Sequence, residues 1–515
     1  MAADTNIPRF ALVAAVALLA CAGCKTVLVV DETPLGALPV GGTLDSVVVS
    51  PDGRHAAFRV LRGGGWVVVI DGVAGKHYAM ISDRGPVFSP DSRHVAYVAA
   101  RVASVGAAAA KGECFVVLDG TEGKPYDGIG GEIPVFSPDG NRLAYVARRN
   151  QEELVVVDGA AGHEFDRIDA PGPIFSPDSR HVAYRAWRGG KCLVVMDGAE
   201  GPAYDKVLDG GPVFSPEGNR LAYRARQGNE RFLVVDGKAG PPFDDVFGDV
   251  PIFSPDGRRV AYPAKRGSQM MAVVDGALGK PCFQIGKGTP VFSPDCKHVA
   301  YRAWQPGAPP TVSYVIDGEA GTAYEGLIEG PPAFSPDGRR IAYGACRGKE
   351  SFAVIDGVEG KPAFRVGYFT FSADSKHLAY VVWRAKDKCF AVVDGVEGPE
   401  FEELGDGPFF SADSRHIAYE GRRGGKWRIV LDGVEGQEYD STRGLTFSPD
   451  SKHIAFRARR GGRHLVVVDG TENGPYDSAQ PSAPIVFDGS SVVNTVLVNK
   501  GELFRVSVEF THPLW

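Results

Sequence analysis

The feature that most constrains this chain is a motif that recurs along nearly its whole length. Ser-Pro-Asp or a close variant stands at a step near 39 residues, and eleven copies begin at Ser50, Ser89, Ser137, Ser176, Ser215, Ser254, Ser293, Ser335, Ser372, Ser411 and Ser448. A degenerate twelfth copy is seen at Phe487-Asp488-Gly489-Ser490. Repetition with this period predicts a solenoid, a propeller or another repeat array.

Within one repeat, short apolar runs separated by turn residues predict four β-strands. Taking the fourth copy, strand A is Gly-Pro-Ile-Phe-Ser, strand B starts at His181, strand C is Leu193–Asp197, and a weaker strand D surrounds Tyr204–Val207. Pro and Asp of Ser-Pro-Asp suit the A–B turn, and Asp-Gly suits the C–D turn. Four antiparallel strands in about 39 residues are typical of a propeller blade, so the predicted fold class is an all-β propeller.

The stretch Phe253-Ser-Pro-Asp-Gly-Arg-Arg-Val-Ala-Tyr262 resembles the WD-like propeller repeats of the TolB family. The resemblance covers roughly residues 44 to 480 and implies the propeller fold. The chain departs from that family in three ways. It has about twice as many repeats, a regular Val-Val-Asp-Gly element, and no separate N-terminal α/β domain. The resemblance therefore does not transfer a Tol-system role.

Twelve blades exceed the usual four to eight per ring, so we expect two six-bladed propellers, residues 44–288 and 289–515. One large single ring is the alternative, because no linker of altered composition separates the repeats. The ends of the chain also complement each other. Residues 26–31 look like an orphan strand, and the last repeat lacks a strand D. An N-terminal strand that completes the last blade would remove an exposed sheet edge.

The N-terminus has the pattern of an export signal. Residues 1–20 contain Arg9 and then an apolar run that ends in small residues, too short to span a bilayer comfortably. Leu18-Leu19-Ala20-Cys21 resembles a bacterial lipobox, with Cys21 as the lipid attachment site and Cys24 as the alternative. A plain secretory signal or a short anchor is the other interpretation. Residues 21–43 are assigned to a lipid-anchor linker and the closing strand.

Residue types that often mark chemistry occur here in slots that tolerate exchange. Cys114, Cys192 and Cys389 share a repeat position that holds Trp or Glu elsewhere, which predicts free thiols. His181 and its equivalents alternate with Arg, which cannot replace a metal ligand. Gly-x-Ser-x-Gly, the elbow of the propeller peptidases, is missing from the sequence. We therefore predict no metal, no cofactor and no enzymatic activity.

The predicted B–C hairpin tips carry many cations, although the chain has a net charge of −7. We predict a basic rim on this face that steers an acidic partner. Ordinary solubilising charge is the alternative. The candidate residues are Arg148, Arg149, Arg188, Lys191, Lys265, Arg266, Arg422, Arg423, Lys426, Arg459, Arg460 and Arg463. Length insertions also fall between strands B and C, which suits either a binding site on these loops or neutral drift.

Three functional hypotheses follow from the sequence. The first is a non-enzymatic envelope lipoprotein, periplasmic or on the cell surface, whose propeller binds a protein or peptide. The second is a small-ligand-binding or enzymatic propeller with its site in the central channel; the recurring Gly-Pro in strand A argues against it. The third is a structural surface array. A nucleic-acid partner is not expected.

Overall fold

Each repeat folds into one small antiparallel sheet, and the sheets are arranged as a ring of twelve blades. The computed structural model describes residues 28–37, 47–101, 113–248, 251–307, 310–328, 330–479, 483–489, 491–500 and 502–510. These residues form strands and turns, with no helix among them. The predicted all-β propeller of about twelve four-stranded blades is confirmed.

The central strands B and C form the long hairpin of each blade. Strand B spans Ala56–Arg62, Val95–Ala100, Leu143–Arg149, Val182–Arg188, Leu221–Gln227, Val260–Arg266, Val299–Gln305, Ile341–Arg347, Leu378–Ala385, Ile417–Arg423, Ile454–Arg460 and Val492–Asn499 in blades 1 to 12. Strand C spans Gly65–Ile70, Cys114–Leu118, Glu152–Val157, Lys191–Met196, Glu230–Val235, Gln269–Val274, Thr311–Ile316, Glu350–Ile355, Lys388–Val393, Lys426–Leu431, Arg463–Val468 and Glu502–Phe510.

Strand A is divided in most blades, and strand D is short. The strand A segments, blade by blade, are Val48–Val49; Met80–Ile81 and Val87–Phe88; Gly128–Phe136; Arg167–Ile168 and Ile174–Phe175; Lys206–Val207 and Val213–Phe214; Asp245–Val246 and Ile252–Phe253; Gln284–Ile285 and Val291–Phe292; Gly326–Leu327 and Ala333–Phe334; Arg365–Phe371; Glu403–Leu404 and Phe409–Phe410; Ser441–Phe447; Ser478–Ala479 and Val486–Asp488. Strand D is Val73–Ala74, Thr121–Glu122, Ala160–Phe165, Ala199–Glu200, Lys238–Ala239, Ala277–Leu278, Glu319–Ala320, Val358–Glu359, Val396–Glu397, Val434–Glu435, Thr471–Tyr476 and, in blade 12, Leu28–Ala37.

One strand boundary differs from the sequence prediction. Strand D begins directly after the Asp-Gly turn, and Tyr204 still bridges to Cys192 of its own blade. Lys206 and Val207, which the sequence assigned to the same strand, pair instead with strand B of the next blade. The chain therefore crosses from one blade to the next at Asp205. That crossing leaves little room for an uninterrupted strand D, whose apolar pattern is correspondingly weak.

Strand B is buried on both faces because a neighbouring blade packs on each side. In Val182–Arg188 the first five residues are all buried, including the charged Arg185. Tyr184 packs toward the preceding blade, where it meets Phe165 edge to face at 6.1 Å between ring centroids. The core of the protein is consequently a series of clusters between blades. Stability of such an array depends on contacts between nearest neighbours.

The packing is continuous through the middle of the chain. Arg259 of blade 6 donates to the backbone oxygens of Cys296 and Lys297 in blade 7, at 3.2 and 3.1 Å. Arg142 makes the equivalent bonds from blade 3 to blade 4. The boundary expected near residue 288 is thus not marked by a change in packing. The sheets are arranged as the single ring that the sequence left as the alternative, so the expected pair of six-bladed propellers is not found. The residue bounds 44–288 and 289–515 stay a prediction.

The ring is closed by a strand from the N-terminus. Leu28–Ala37 pairs antiparallel with Glu502–Phe510, so it occupies the strand D position of blade 12. The Tyr476 hydroxyl donates to Glu32 at 3.0 Å, as Tyr439 does to Glu472 one blade earlier. Blade 12 also packs on blade 1, where Leu35 joins a cluster with Phe58. This is the pairing that the sequence suggested for its orphan strand.

The closing strand gives the first prediction. A chain that starts at residue 38 should melt at a lower temperature and aggregate more than one that starts at residue 28. Removal of the strand exposes the edge Glu502–Phe510 and uncovers the cluster around Leu35. Thermal unfolding and light scattering of the two truncations measure the effect. Equal melting temperatures and equal solubility would show that the strand is dispensable for closure.

Candidate functional site

One face of the ring is occupied by a repeated polar network that includes most of its histidines. Asp197 of the Asp-Gly turn has a φ of 49°. Its carboxylate accepts the backbone N–H of Val182 at 2.9 Å and pairs with His181 Nδ1 at 2.6 Å. In other blades Arg fills the histidine slot, and Arg142 Nε donates to the corresponding Asp158 at 2.9 Å. His and Arg are exchangeable because both bind the same carboxylate.

The Ser-Pro-Asp turn supplies the other half of this network. The buried Ser176 hydroxyl donates to Asp178 at 2.5 Å and accepts the backbone N–H of His181 at 2.9 Å. Hydrogen bonding from the serine holds the pKa of Asp178 below its usual value. These serines, aspartates and histidines stabilise turns, the role that the sequence gave to the aspartates. In the described ranges no three His, Cys, Asp or Glu side chains are grouped to hold a metal ion.

The candidate rim cations lie at or next to the tips of the B–C hairpins, and most of them are paired with carboxylates. Arg188 Nη1 lies 2.6 Å from Glu200, and Lys191 Nζ lies 2.6 Å from Asp205. The same arrangement recurs in the pairs Arg149–Glu164, Arg422–Glu403, Arg423–Glu435, Lys426–Asp440, Arg460–Glu472 and Arg463–Asp477. The face is therefore a lattice of opposite charges, whose carboxylates come from strand D, from the following crossover and, at Glu403, from strand A.

Four rim cations stand apart from these pairs. Arg266 donates to the Pro242 carbonyl and stacks on Phe243. Among the described residues, no carboxylate lies within 4 Å of the charged groups of Arg148, Lys265 or Arg459. Cys21 and Cys24, the predicted lipid attachment sites, lie outside the described residues. So does the B–C insertion at 102–112.

Strand A lies at the axis of the ring, where first strands of neighbouring blades approach each other. The strand B residue after the common tyrosine points toward this region. It is arginine in five blades, and Arg185 is typical, with a side chain 8% exposed. Its guanidinium donates to the Ala170 and Val207 carbonyls and to Asp209. These arginines hold the bulge of strand A, a structural task that sequence reasoning missed.

In blade 10 this slot holds Glu420, which is 4% exposed. Its Oε2 accepts the backbone N–H of Asp406 at 3.3 Å, and its Oε1 is buried without a hydrogen-bond partner among the described residues. Burial, together with the nearby Asp406 charge, raises the pKa of Glu420 to about 7. The carboxyl therefore exchanges a proton near neutral pH. Aligning the repeats would have revealed it as the one acid in this slot.

A second departure lies at the axis between blades 8 and 9. An open cavity of about 300 Å³ is lined by Tyr314, Ile328, Tyr343, Tyr368 and Phe369 together with prolines of the strand A bulge. Tyr314 donates from its hydroxyl to the Gly330 carbonyl at 3.1 Å. The described residues that line the cavity carry no charge. Such walls favour an apolar or aromatic group over an ion.

Comparisons with known proteins concern the fold. No family model matches the chain, and no curated protein matches it. A solved eukaryotic initiation factor is 15% identical with a TM-score of 0.35, covering 65% of this chain and 96% of that one. TolB from Acinetobacter baumannii is 14% identical with a TM-score of 0.23, covering 57% and 81%. The tricorn protease is 13% identical with a TM-score of 0.24, covering 82% and 56%. Each likeness is confined to the fold.

Glu420 gives the second prediction. Its pKa is higher in the folded state than the 4.5 of a free carboxyl. The folded protein therefore binds a proton that the unfolded chain releases, and stability decreases as the pH rises from 4.5 to 7. Glu420→Gln should raise the free energy of unfolding at pH 8 by up to about 3 kcal/mol, with little change at pH 4.5.

Urea unfolding at the two pH values measures this difference. Glu230→Gln, at an exposed strand C position of blade 5, is the control and should behave as the parent does at both pH values. An equal effect of Glu420→Gln at pH 4.5 and pH 8 would contradict a buried carboxyl with a raised pKa.

Proposed function

We propose that this protein is a non-enzymatic envelope lipoprotein whose propeller ring is a scaffold that binds a protein or peptide partner. The observation that supports the proposal most directly is the charged B–C face. Its cation–carboxylate pairs recur in several blades, so one rigid surface carries the same polar pattern over a large area. A surface of this kind suits a macromolecule better than a small ligand, because a small ligand needs a concave site.

The difference between the turn face and the B–C face of the ring supports the same proposal. On one face, the polar side chains of the Ser-Pro-Asp and Asp-Gly turns are hydrogen-bonded to each other and to the backbone, and these bonds stabilise the turns. The tips of the B–C hairpins on the other face differ in length and charge from blade to blade. Loops that vary on a rigid scaffold are where binding sites concentrate.

The proposed membrane anchor fits the position of the closing strand. Leu28, the first residue of that strand, follows Cys21 by seven positions. A chain of that length extends at most about 25 Å, so a lipid on Cys21 would hold blade 12 close to the bilayer. No helix in the described part of the chain is long and apolar enough to cross a membrane.

The third prediction tests the anchor. Cys21→Ser should move the protein from the membrane fraction to the soluble fraction, because lipoprotein processing attaches more than one acyl chain and a single chain binds only marginally. Cys24→Ser is the matched control and should stay with the membrane. Release by the Cys24 variant alone would move the anchor to Cys24, and release by neither would exclude the lipoprotein proposal.

The fourth prediction tests the binding face. Charge reversal of Arg148, Lys265 and Arg459 to Glu should weaken capture of an acidic partner and reduce its salt dependence, since these cations are not engaged with carboxylates. Co-purification from envelope extracts at two salt concentrations, with the partner identified by mass spectrometry, measures both effects.

The control for the binding face is the same reversal of three cations on the opposite face, Arg180, Arg258 and Arg339, whose side chains are 81 to 86% exposed. Both triple variants should melt as the parent does. Equal loss of capture in the two variants would show that net charge, rather than the B–C face, determines binding.

A further inference from the structure

Three local departures from the repeat converge on the cavity between blades 8 and 9. The first is Tyr314 in strand C of blade 7, which is 2% exposed. Ten of the eleven other blades carry Val, Leu, Ile or Ala at the equivalent position. This tyrosine extends its ring beyond the space of an aliphatic side chain, and its hydroxyl reaches the strand A bulge of blade 8.

The second departure is Gly344, in the slot where five blades have Arg and four have Val. A Cβ at this position would collide with Ile328 Cγ1. The absence of a side chain lets Ile328 occupy that space and form one wall of the cavity. In the blades with arginine, the guanidinium fills the corresponding region and binds the bulge.

The third departure is Tyr368, which is the only aromatic residue with a positive φ in the described ranges, at 56°. Blade 11 has the same short bulge, with the same break in register, and there the equivalent residue is Gly444 with a φ of 69°. Glycine adopts this conformation readily, whereas a bulky side chain is strained. Tyr368 is also 65% exposed, so burial does not compensate for the strain.

Strain and exposure at one tyrosine, beside two further substitutions that shape the same cavity, point to a ligand. The axial slot also differs at Pro263 and Glu420, whereas Tyr314, Gly344 and Tyr368 come from three successive blades and line one cavity. The nearby Trp383 ring, 5.8 Å from that of Tyr368, extends the aromatic surface outward from the cavity.

The walls indicate what the ligand is. Other cavities in the described part of the ring, of about 500 to 580 Å³, are lined partly by charged residues such as Arg142, Lys287 and Arg220. The described residues around the cavity at Tyr368 are aromatic, proline or glycine, apart from Ile328 and Ala333. Aromatic-lined grooves of this composition dock polyproline II segments, which are already extended and leave their carbonyls open to donors.

We propose that the cavity between blades 8 and 9 binds a proline-rich peptide segment, with Tyr368 as the ring on which a proline stacks. This inference rests on the proposed peptide-binding role. It adds a second binding site, which lies at the axis of the ring and is separate from the B–C face. The Tyr368 side chain would cover the bound proline from the solvent side, and the cavity behind Tyr368 would hold the pyrrolidine ring of that proline.

The test uses the full chain in detergent and a fluorescent ten-residue oligoproline, with binding followed by anisotropy. Tyr368→Gly introduces the residue that blade 11 uses and should weaken binding at least tenfold. Because it relieves strain, its melting temperature should equal or exceed that of the parent. Tyr368→Phe keeps the ring and should bind within about threefold of the parent. Phe364→Ala, which removes another exposed aromatic of blade 9, is the control and should bind normally.

Several outcomes would overturn the proposal. These are absence of oligoproline binding at millimolar concentration, equal binding by Tyr368→Gly, or Tyr368-dependent binding of an oligosaccharide in place of oligoproline. Oligoproline binding with loss only in Tyr368→Gly would support it. The rim variants separate it from the scaffold proposal, because they should lose envelope capture and retain oligoproline binding.

Discussion

The fold depends on the carboxylate of the Asp-Gly turn. Asp197 and its equivalents sit in the left-handed region, accept the first backbone N–H of strand B, and bind the His or Arg that precedes that strand. A buried N–H left without a partner would cost about 1 to 3 kcal/mol, so this bond fixes where strand B begins. Where the slot holds Arg, the same side chain also reaches the next blade. The aspartate thus links the turn to the start of strand B, and its Arg partner adds a contact with the next blade.

These hydrogen bonds require similar residue types on one face of most blades, whereas other positions of the repeat vary from blade to blade. Variation is seen in the B–C tips and in the axial slot, which holds Arg, Val, Pro, Glu or Gly in different blades. At the axis, each change alters how space beside the strand A bulge is filled. The Arg185 guanidinium fills this space in blade 4, and the Glu420 carboxyl fills it in blade 10. In blade 8, where Gly344 has no side chain, Ile328 occupies the space. The repeat therefore provides a uniform frame with individually modified interiors.

The sequence predicted what repeats and missed what is specific to one blade. Fold class, blade number, the hairpin tips and the exchange of His with Arg follow from turn chemistry, which is local. Strand D was misplaced because only two of its residues pair in most blades, as at Ala199 and Glu200. The rim cations were recognised, but their pairing with carboxylates was not. Arg188 meets Glu200 because the long side chain extends along the blade edge.

The cavity at Tyr368 could not be predicted from the sequence, because it depends on how successive blades stack. Tyr314, Gly344 and Tyr368 are separated by 24 to 30 residues, and only the stacking of successive blades brings them together. A signal was nevertheless present in the sequence. Each of the three residues differs from its equivalents when the repeats are aligned slot by slot, and the departures fall in consecutive repeats. Exceptions to a repeat are therefore a more specific guide to a site than the repeat itself.

Ring closure and the proposed membrane attachment involve the same N-terminal segment. In an open array of repeats the terminal units lack a neighbour, whereas here Leu28–Ala37 supplies the last strand D and blade 12 packs on blade 1. The proposed lipid at Cys21 lies immediately before that strand. Tension from the membrane would act first at Leu28, which pairs with Phe510 at one end of the ladder. The buried Leu35, near the other end of that ladder, packs in the cluster with Phe58 of blade 1, so the same strand completes blade 12 and contacts the next blade.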